Sequence, residues 1–124
     1  MSYVEISGDL PSTDGVMKKS GQVVVFITTS TGEEAHRIAE LLLSQRKAAC
    51  INIVPSVGSL FWWQGKLDSA QESLLIIKTR ALLLPEIVNL VKGVHNYEVP
   101  EIIAMPIMGG NEDYLKWIDS EVKE

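Results

Sequence analysis

Four residues of this sequence have side chains suited to metal binding or acid–base chemistry, namely Cys50, His95, Glu98 and Glu101. A cysteine thiolate is a soft ligand for Cu(I) or Zn, imidazole binds many transition metals, and carboxylates can complete such sites. One cysteine and two distant histidines cannot supply the four ligands of a structural site within one chain. We therefore expect any metal site to be shared between subunits or completed by carboxylates and water.

Cys50 and His95 also have structural interpretations. Cys50 lies among apolar residues of a predicted strand, where a free cysteine usually serves as a small core side chain. His95 follows a predicted helix, where an imidazolium is favoured, and it begins a polar connection that includes Tyr97. It either ends the helix and holds the loop by hydrogen bonds, or acts as a ligand or pH switch.

Glu98 and Glu101 bracket Pro100 and could form a carboxylate pair for acid–base work, although nothing identifies a substrate or a partner base. We favour a salt bridge with Lys66 or Lys78 of a neighbouring subunit. The sequence shows no set of nucleophile, base and orienting residue, and it lacks the motifs of hydrolases and kinases. We therefore predict that the protein is not an enzyme.

The aromatic run Phe61-Trp62-Trp63 has two interpretations. It could be a stacking platform for a base or sugar, but such platforms are interleaved with positive charge. An anchor in a subunit interface is the interpretation we favour.

Residues 28–32 precede a helix N-terminus, where an anion could bind, but they lack the glycines and lysine of a phosphate loop, so capping is expected.

Two long strand-like segments, 47–63 and 67–79, must position many of these groups. Unbroken, the first would reach about 55 Å, whereas a domain of this length has a radius of gyration of about 13 Å. The ribbon therefore overhangs the core and requires a partner, most simply further copies of the chain. Pro55 and Gly58 predict a bulge or kink that bends the ribbon around the assembly.

The remaining elements follow from hydrophobic periodicity. Strands are predicted at Gln22–Thr29 and Glu101–Met108, and a helix at Leu82–Val94. A first helix begins with a capping box, Ser30 with Glu33 or Thr31 with Glu34, and a short helix follows Asn111. The order β-α-β-β-α-β, then α, predicts an α+β fold: a ferredoxin-like sheet with a C-terminal helix and a long extended hairpin.

Composition limits the function classes. The chain of 124 residues is 46% hydrophobic and 22% charged, which is typical of a soluble globular protein. Its net charge is −5, with Lys and Arg scattered, so we expect neither nucleic acid nor an anionic membrane as a partner.

We predict a flexible leader at residues 1–21 and a single domain at 22–124. The leader has no apolar run typical of a secretory signal, and the single cysteine fits a reducing compartment, so we expect a cytoplasmic protein.

Five ordered segments between Gln22 and Val122 resemble the CutA divalent-ion tolerance proteins. They are KAACINIVP (47–55), SLFWWQGK (59–66), IKT (77–79), HNYEVPEIIA (95–104) and YLKWI (114–118). The resemblance implies a ferredoxin-like fold that assembles as a homotrimer related to the PII-like signalling proteins, with the long hairpins wrapped around neighbours. Phe61, Trp62 and Trp63 would then lie in the trimer interface.

The resemblance also implies a role in tolerance of divalent metals, especially copper, without enzymatic activity. Family members bind copper through a cysteine and two histidines. Thr28, Val94 and His95 stand at those positions, so only His95 carries over, while Cys50 matches a second cysteine position. The implied metal candidates are His95, Cys50, Glu98 and Glu101, for Cu or another divalent cation, and the candidates for the inter-subunit cleft are Lys66, Lys78, Tyr97 and Trp63.

Two alternatives remain open at this stage. One is a PII-like sensor of a small metabolite or nucleotide, in which Lys66 or Lys78 would meet an anion. The other is a trimeric scaffold for another protein.

Overall fold

The computed structural model describes residues 21–124. The chain forms, in order, β1 (Gln22–Thr29), α1 (Gly32–Ser44), β2 (Cys50–Trp63), β3 (Lys66–Arg80), α2 (Leu84–Lys92), β4 (Ile102–Pro106) and α3 (Glu112–Glu121). The four strands make one sheet in the order β2-β3-β1-β4, with every neighbouring pair antiparallel. The predicted α+β arrangement is confirmed. The predicted leader, residues 1–21, lies outside the described residues except for Gly21, and it stays a prediction.

The hydrophobic core lies between one face of the sheet and the helices α1 and α2. Alternate residues of β1 and β3 point to this face because side chains alternate along a strand. The helices bury the stripe of apolar residues that repeats every three to four positions. The core residues with no exposed surface include Val25, Ile27, Ile38, Leu42, Leu75, Ile77, Ile87 and Val91.

The other face of the sheet is only partly covered. At one end α3 lies against it, with Ile118 fully buried and Tyr114 beside Cys50. Towards the edge strand β4 the face is open, and Ile103 and Met105 are 54% and 57% exposed. Both side chains point away from the helices because their neighbours Ile102 and Ala104 pack against the core.

The β2–β3 ribbon extends beyond the sheet. Its register shifts between Val54 and Val57, which confirms the bulge predicted near Pro55 and Gly58. The ribbon closes through Gln64 and Gly65, both with positive φ, the pattern of a type I′ hairpin turn.

The bounds of four elements differ from the prediction, including β3, which covers Lys66–Arg80 instead of 67–79. The first ribbon strand begins at Cys50 instead of Lys47, and β4 covers Ile102–Pro106 instead of Glu101–Met108. A 3-10 turn, Ala81–Leu83, replaces the start of the predicted second helix, so α2 is shorter at both ends.

The late start of β2 reflects how α1 ends. Arg46 has a left-handed backbone with φ 59°. The Arg46 N–H donates to Leu43 O at 3.0 Å and the Lys47 N–H to Leu42 O at 2.9 Å, the two bonds of a Schellman motif. Glycine usually occupies this position, so an arginine here does not indicate the motif.

Candidate functional site

A concave cleft lies between the loop that follows α2 and the ribbon formed by β2 and β3. Its volume is about 1330 Å³. Its lining contains three aromatic rings, four carboxylates, one imidazole and one lysine. These residues are Phe61, Trp63, Tyr97, Asp68, Glu72, Glu98, Glu101, His95 and Lys92.

His95 is held at the inner wall of this cleft, and its side chain has no exposed surface. Its Nε2 lies 2.8 Å from the carbonyl oxygen of Thr28, which can only accept, so Nε2 carries a proton and donates. Its Nδ1 accepts from the Tyr97 N–H at 2.9 Å. Both ring nitrogens are therefore engaged in holding the loop, and a metal could bind Nδ1 only if that bond to Tyr97 were given up.

Glu34 anchors the same loop from the N-terminus of α1. Thr31 caps this helix by accepting from the Glu34 N–H at 3.1 Å, which confirms one of the two predicted capping pairs. The Glu34 side chain, however, does not return to Thr31. Its Oε1 accepts from both N–H and hydroxyl of Ser30 at 3.0 Å, and its Oε2 accepts from the Asn96 N–H at 2.6 Å.

The Glu34 side chain has no exposed surface and lies 3.4 Å from His95 Nδ1. Burial alone would raise the pKa of this carboxyl. The hydrogen bonds from Asn96 and Ser30, helped by His95, outweigh burial and hold the pKa of Glu34 below its usual 4.5. Sequence reasoning treated Glu34 only as a cap, because nothing in the sequence connects it with a loop 62 residues further along.

Tyr97 and Glu72 join the loop to the ribbon. The Tyr97 hydroxyl donates to Glu72 Oε2 at 2.8 Å, and the Tyr97 ring lies 5.0 Å from the His95 ring. Burial, this hydrogen bond and the charges of Glu72 and Glu34 raise the pKa of Tyr97 to about 12. Glu72 is buried, and sequence reasoning missed it. A carboxylate at the start of an apolar strand was the available signal, since buried charges are seldom found without a role.

The structure brings most of the predicted site residues together. His95, Tyr97, Glu98, Glu101 and Trp63 all line the cleft. Phe61, predicted as an interface residue, lines it as well.

Other predicted residues lie elsewhere in the chain. Cys50 and Lys78 are paired across β2 and β3, where Lys78 donates to Asn52 and Cys50 lies beside Tyr114. Lys66 is paired with Trp63 at the exposed ribbon turn. Neither lysine lines the cleft of its own chain, so a role for either as a cleft partner requires a neighbouring chain.

The described residues of one chain do not provide a complete donor set for a metal ion. Within residues 21–124 no group of three His, Cys, Asp or Glu side chains is placed to hold one. His95, the metal candidate with the strongest resemblance, has both nitrogens occupied. The metal candidates remain predictions, and a site that uses them would need groups from another chain.

None of the helices in the described part of the chain is long and apolar enough to cross a membrane.

Comparisons with known proteins agree with the fold and the segments described above. The family model for the CutA1 divalent ion tolerance protein matches residues 23–121. The chain is 46% identical over 95 residues to the divalent-cation tolerance protein CutA of Thermus thermophilus, covering 77% of this chain and 92% of that protein. It is also 46% identical over 102 residues to the chloroplastic protein CutA 1 of rice, covering 82% of this chain.

The chain spans only 58% of the length of that rice protein. The crystal structure of rice CutA1 superposes with a TM-score of 0.82 and 44% identity, covering 86% of this chain and 97% of that one. With a family model across most of the chain and a bacterial relative matched over nearly its whole length, the chain belongs to the CutA1 divalent ion tolerance family.

Proposed function

We propose that this protein is a non-enzymatic homotrimer that acts in tolerance of divalent cations, and that a cation or small ligand binds in clefts completed by neighbouring copies. The observation that carries the proposal is the lining of the cleft, where four carboxylates face a single lysine. Such a surface attracts cations and repels anions. The names of the relatives, which refer to divalent-cation tolerance, also support a cation as the ligand.

Self-association is supported by two exposed apolar surfaces. At the end of the ribbon Leu60 and Trp62 are 77% and 74% exposed, and Leu67 is exposed beside them. On the open face of the sheet Ile103 and Met105 are also exposed. Contiguous apolar surface of this kind marks an interaction site, and a closed ring of identical chains would cover both surfaces on every copy.

Metal binding in the assembly would draw on donors from two chains. Glu98 and Glu101 are exposed in the cleft, whereas His95 is held by its own loop. The two carboxylates are therefore the groups best placed to meet a cation, or a lysine, contributed from outside the chain. Copper is the metal that the resemblance names, and its binding here is part of the proposal.

An anion sensor is the weaker alternative. Among the described residues, Lys92 is the only lysine or arginine that lines the cleft, and four carboxylates line it as well. A nucleotide or organic acid would need Lys66 or Lys78 of a neighbour to overcome this repulsion.

A cytoplasmic location is likewise proposed, on the basis of the single free cysteine, Cys50.

The test is titration calorimetry with Cu²⁺ and Zn²⁺ on the full chain. The double variant Glu98→Gln/Glu101→Gln removes two cleft charges, and Glu40→Gln/Glu112→Gln removes two exposed charges elsewhere. We expect the cleft variant to bind each ion about tenfold more weakly than wild type, while the control variant matches wild type. Equal binding by all three proteins would remove metal binding in the cleft from the account.

A further inference from the structure

Glu72 has an unused binding capacity that faces the cleft. It is only 8% exposed, and the other carboxylates of the lining are exposed. Tyr97 donates to its Oε2. Its Oε1 accepts no hydrogen bond from any residue between 21 and 124, and no lysine, arginine or histidine of that range forms an ion pair with it. No buried side-chain oxygen of the described residues lacks a hydrogen-bond partner, so Oε1 reaches the solvent of the cleft, where it can accept from a ligand.

The charge around Glu72 selects the sign of that ligand. Asp68, Glu98 and Glu101 line the same cleft, and Lys92 is the only cationic side chain among the described residues of the lining. The two nitrogens of His95 are engaged with Thr28 and Tyr97, so the imidazole has no free nitrogen to offer a ligand. The potential in the cleft is therefore negative, and a cation is the favoured occupant.

The aromatic residues select the chemical class of the cation. Phe61, Trp63 and Tyr97 line the cleft together with the carboxylates. The π faces of such rings attract organic ammonium and guanidinium groups and also pack against an apolar body. A metal ion would instead require several ligand atoms converging on one point, and the described residues provide no such group of three.

We propose that the cleft binds a small organic cation, an amine or amidine, whose charged group donates to Glu72 Oε1 and whose body lies against Tyr97 and Phe61. The inference rests on the proposed function in one respect, since it names the ligand class of the same cleft. It differs in replacing the metal ion by a compound that one carboxylate and aromatic rings can hold.

The test uses the full chain, with benzamidinium as the cationic probe and benzamide as its uncharged counterpart. Both are planar and of the same size, so only the charge and the extra donor differ. Titration calorimetry should show saturable binding of benzamidinium and binding of benzamide that is weaker by about tenfold or more. Absence of benzamidinium binding, or equal affinity for the two probes, would overturn the proposal.

Two variants locate the binding. Glu72→Gln removes the charge but keeps an acceptor for the Tyr97 hydroxyl, and it should weaken benzamidinium by about tenfold. Glu40→Gln, an exposed change on α1 outside the cleft, should leave the affinity unchanged. If Glu72→Gln does not fold, Phe61→Leu takes its place and should weaken benzamidinium by about threefold or more. Wild-type affinity in a folded cleft variant would place the probe elsewhere and overturn the proposal.

Failure of this inference can be separated from failure of the proposed function. Oligomeric state and Cu²⁺ binding are measured on the same protein preparation. A trimer that binds Cu²⁺ but not benzamidinium would overturn the organic-cation ligand and leave the proposed function standing. A neighbour's lysine bound to Glu72 would exclude the probe and would also overturn the inference.

Discussion

The backbone N–H of Asn96 donates to the Glu34 carboxylate at 2.6 Å and thereby joins a loop to the start of a helix 62 residues earlier. The same carboxylate binds Ser30, and the Asn96 side-chain amide donates to the Ser30 hydroxyl at 3.2 Å. The inner wall of the cleft is therefore held by the N-terminus of α1. Together with the hydrogen bonds of His95 and Tyr97, this connection holds the loop that presents Glu98 to the cleft.

Replacing Glu34 by alanine should destabilise the protein strongly. The change would leave the N–H groups of Ser30 and Asn96 without their buried, charged acceptor, and the loss of hydrogen bonds to such a group costs free energy of folding. We expect a loss of about 2–4 kcal/mol in the free energy of unfolding, with faster amide exchange at Asn96 and Tyr97. Urea denaturation and hydrogen exchange, at one fixed protein concentration, measure the two effects.

Glu33→Ala is the matched control, since Glu33 occupies the neighbouring position in the first turn of α1 and is exposed. Its effect should be small. A loss of stability as large as that of Glu34→Ala would show that the loop contacts are not the cause.

Acid should destabilise the wild-type protein partly through Glu34. Its pKa is lower in the folded protein than the usual 4.5, so the folded state binds fewer protons than the unfolded state as the pH falls. The stabilisation is complete above pH 4.5 and is lost as the pH falls through the folded-state value. Urea unfolding across this range should show a steeper decline for wild type than for Glu34→Gln. Parallel curves would contradict the assignment.

Tyr97→Phe should remove the hydrogen bond to Glu72 and also remove a phenol whose pKa is raised. Loss of the hydrogen bond should lower the free energy of unfolding by about 1–2 kcal/mol. The pKa of Tyr97 is raised from 10 to about 12, so its stabilising contribution is complete below pH 10 and lost as the pH rises through 12. Ultraviolet titration of phenolate should therefore lose a step near pH 12 in the variant.

Tyr114→Phe is the control for that titration, because Tyr114 lies beside Cys50, away from the cleft. It should retain the late step of Tyr97. If Tyr97→Phe retained the step as well, the hydrogen bond to Glu72 would not be its origin.

Charges placed on the ribbon should dissociate the proposed trimer. Leu60 and Trp62 are exposed in the single chain, so Leu60→Asp/Trp62→Asp would leave its fold unaffected but would bury two carboxylates in any interface between copies. Sedimentation velocity should show a shift to monomer. Leu43→Asp, an exposed apolar position on the outside of α1, should leave the wild-type assembly unchanged. Dissociation by the control alone would place the interface elsewhere.

The sequence predicted the elements of the fold because their signals are local. The β-branched run in β1, the apolar stripe of α1 and the break at Pro55 and Gly58 each follow from residue type and short-range spacing. The left-handed Arg46 escaped prediction because glycine or asparagine usually marks such a helix end.

The site was less predictable, because its contacts join distant parts of the chain. His95, Tyr97, Glu98 and Glu101 could be found because they cluster in one short connection. The partners that fix them could not, since Glu34 and Glu72 are separated from that loop by a helix and by strands. Burial of the His95 imidazole likewise depends on tertiary structure, so the sequence leaves its ligand and loop-holding roles open.

The most direct test of the account is the mass of the wild-type protein in solution. Sedimentation equilibrium at micromolar concentration and moderate ionic strength reports it without immobilisation or cross-linking. We predict a single species containing three chains, because the ribbon and the open sheet face both require a partner surface. A monodisperse monomer at that concentration would contradict the central claim that neighbouring copies complete the cleft.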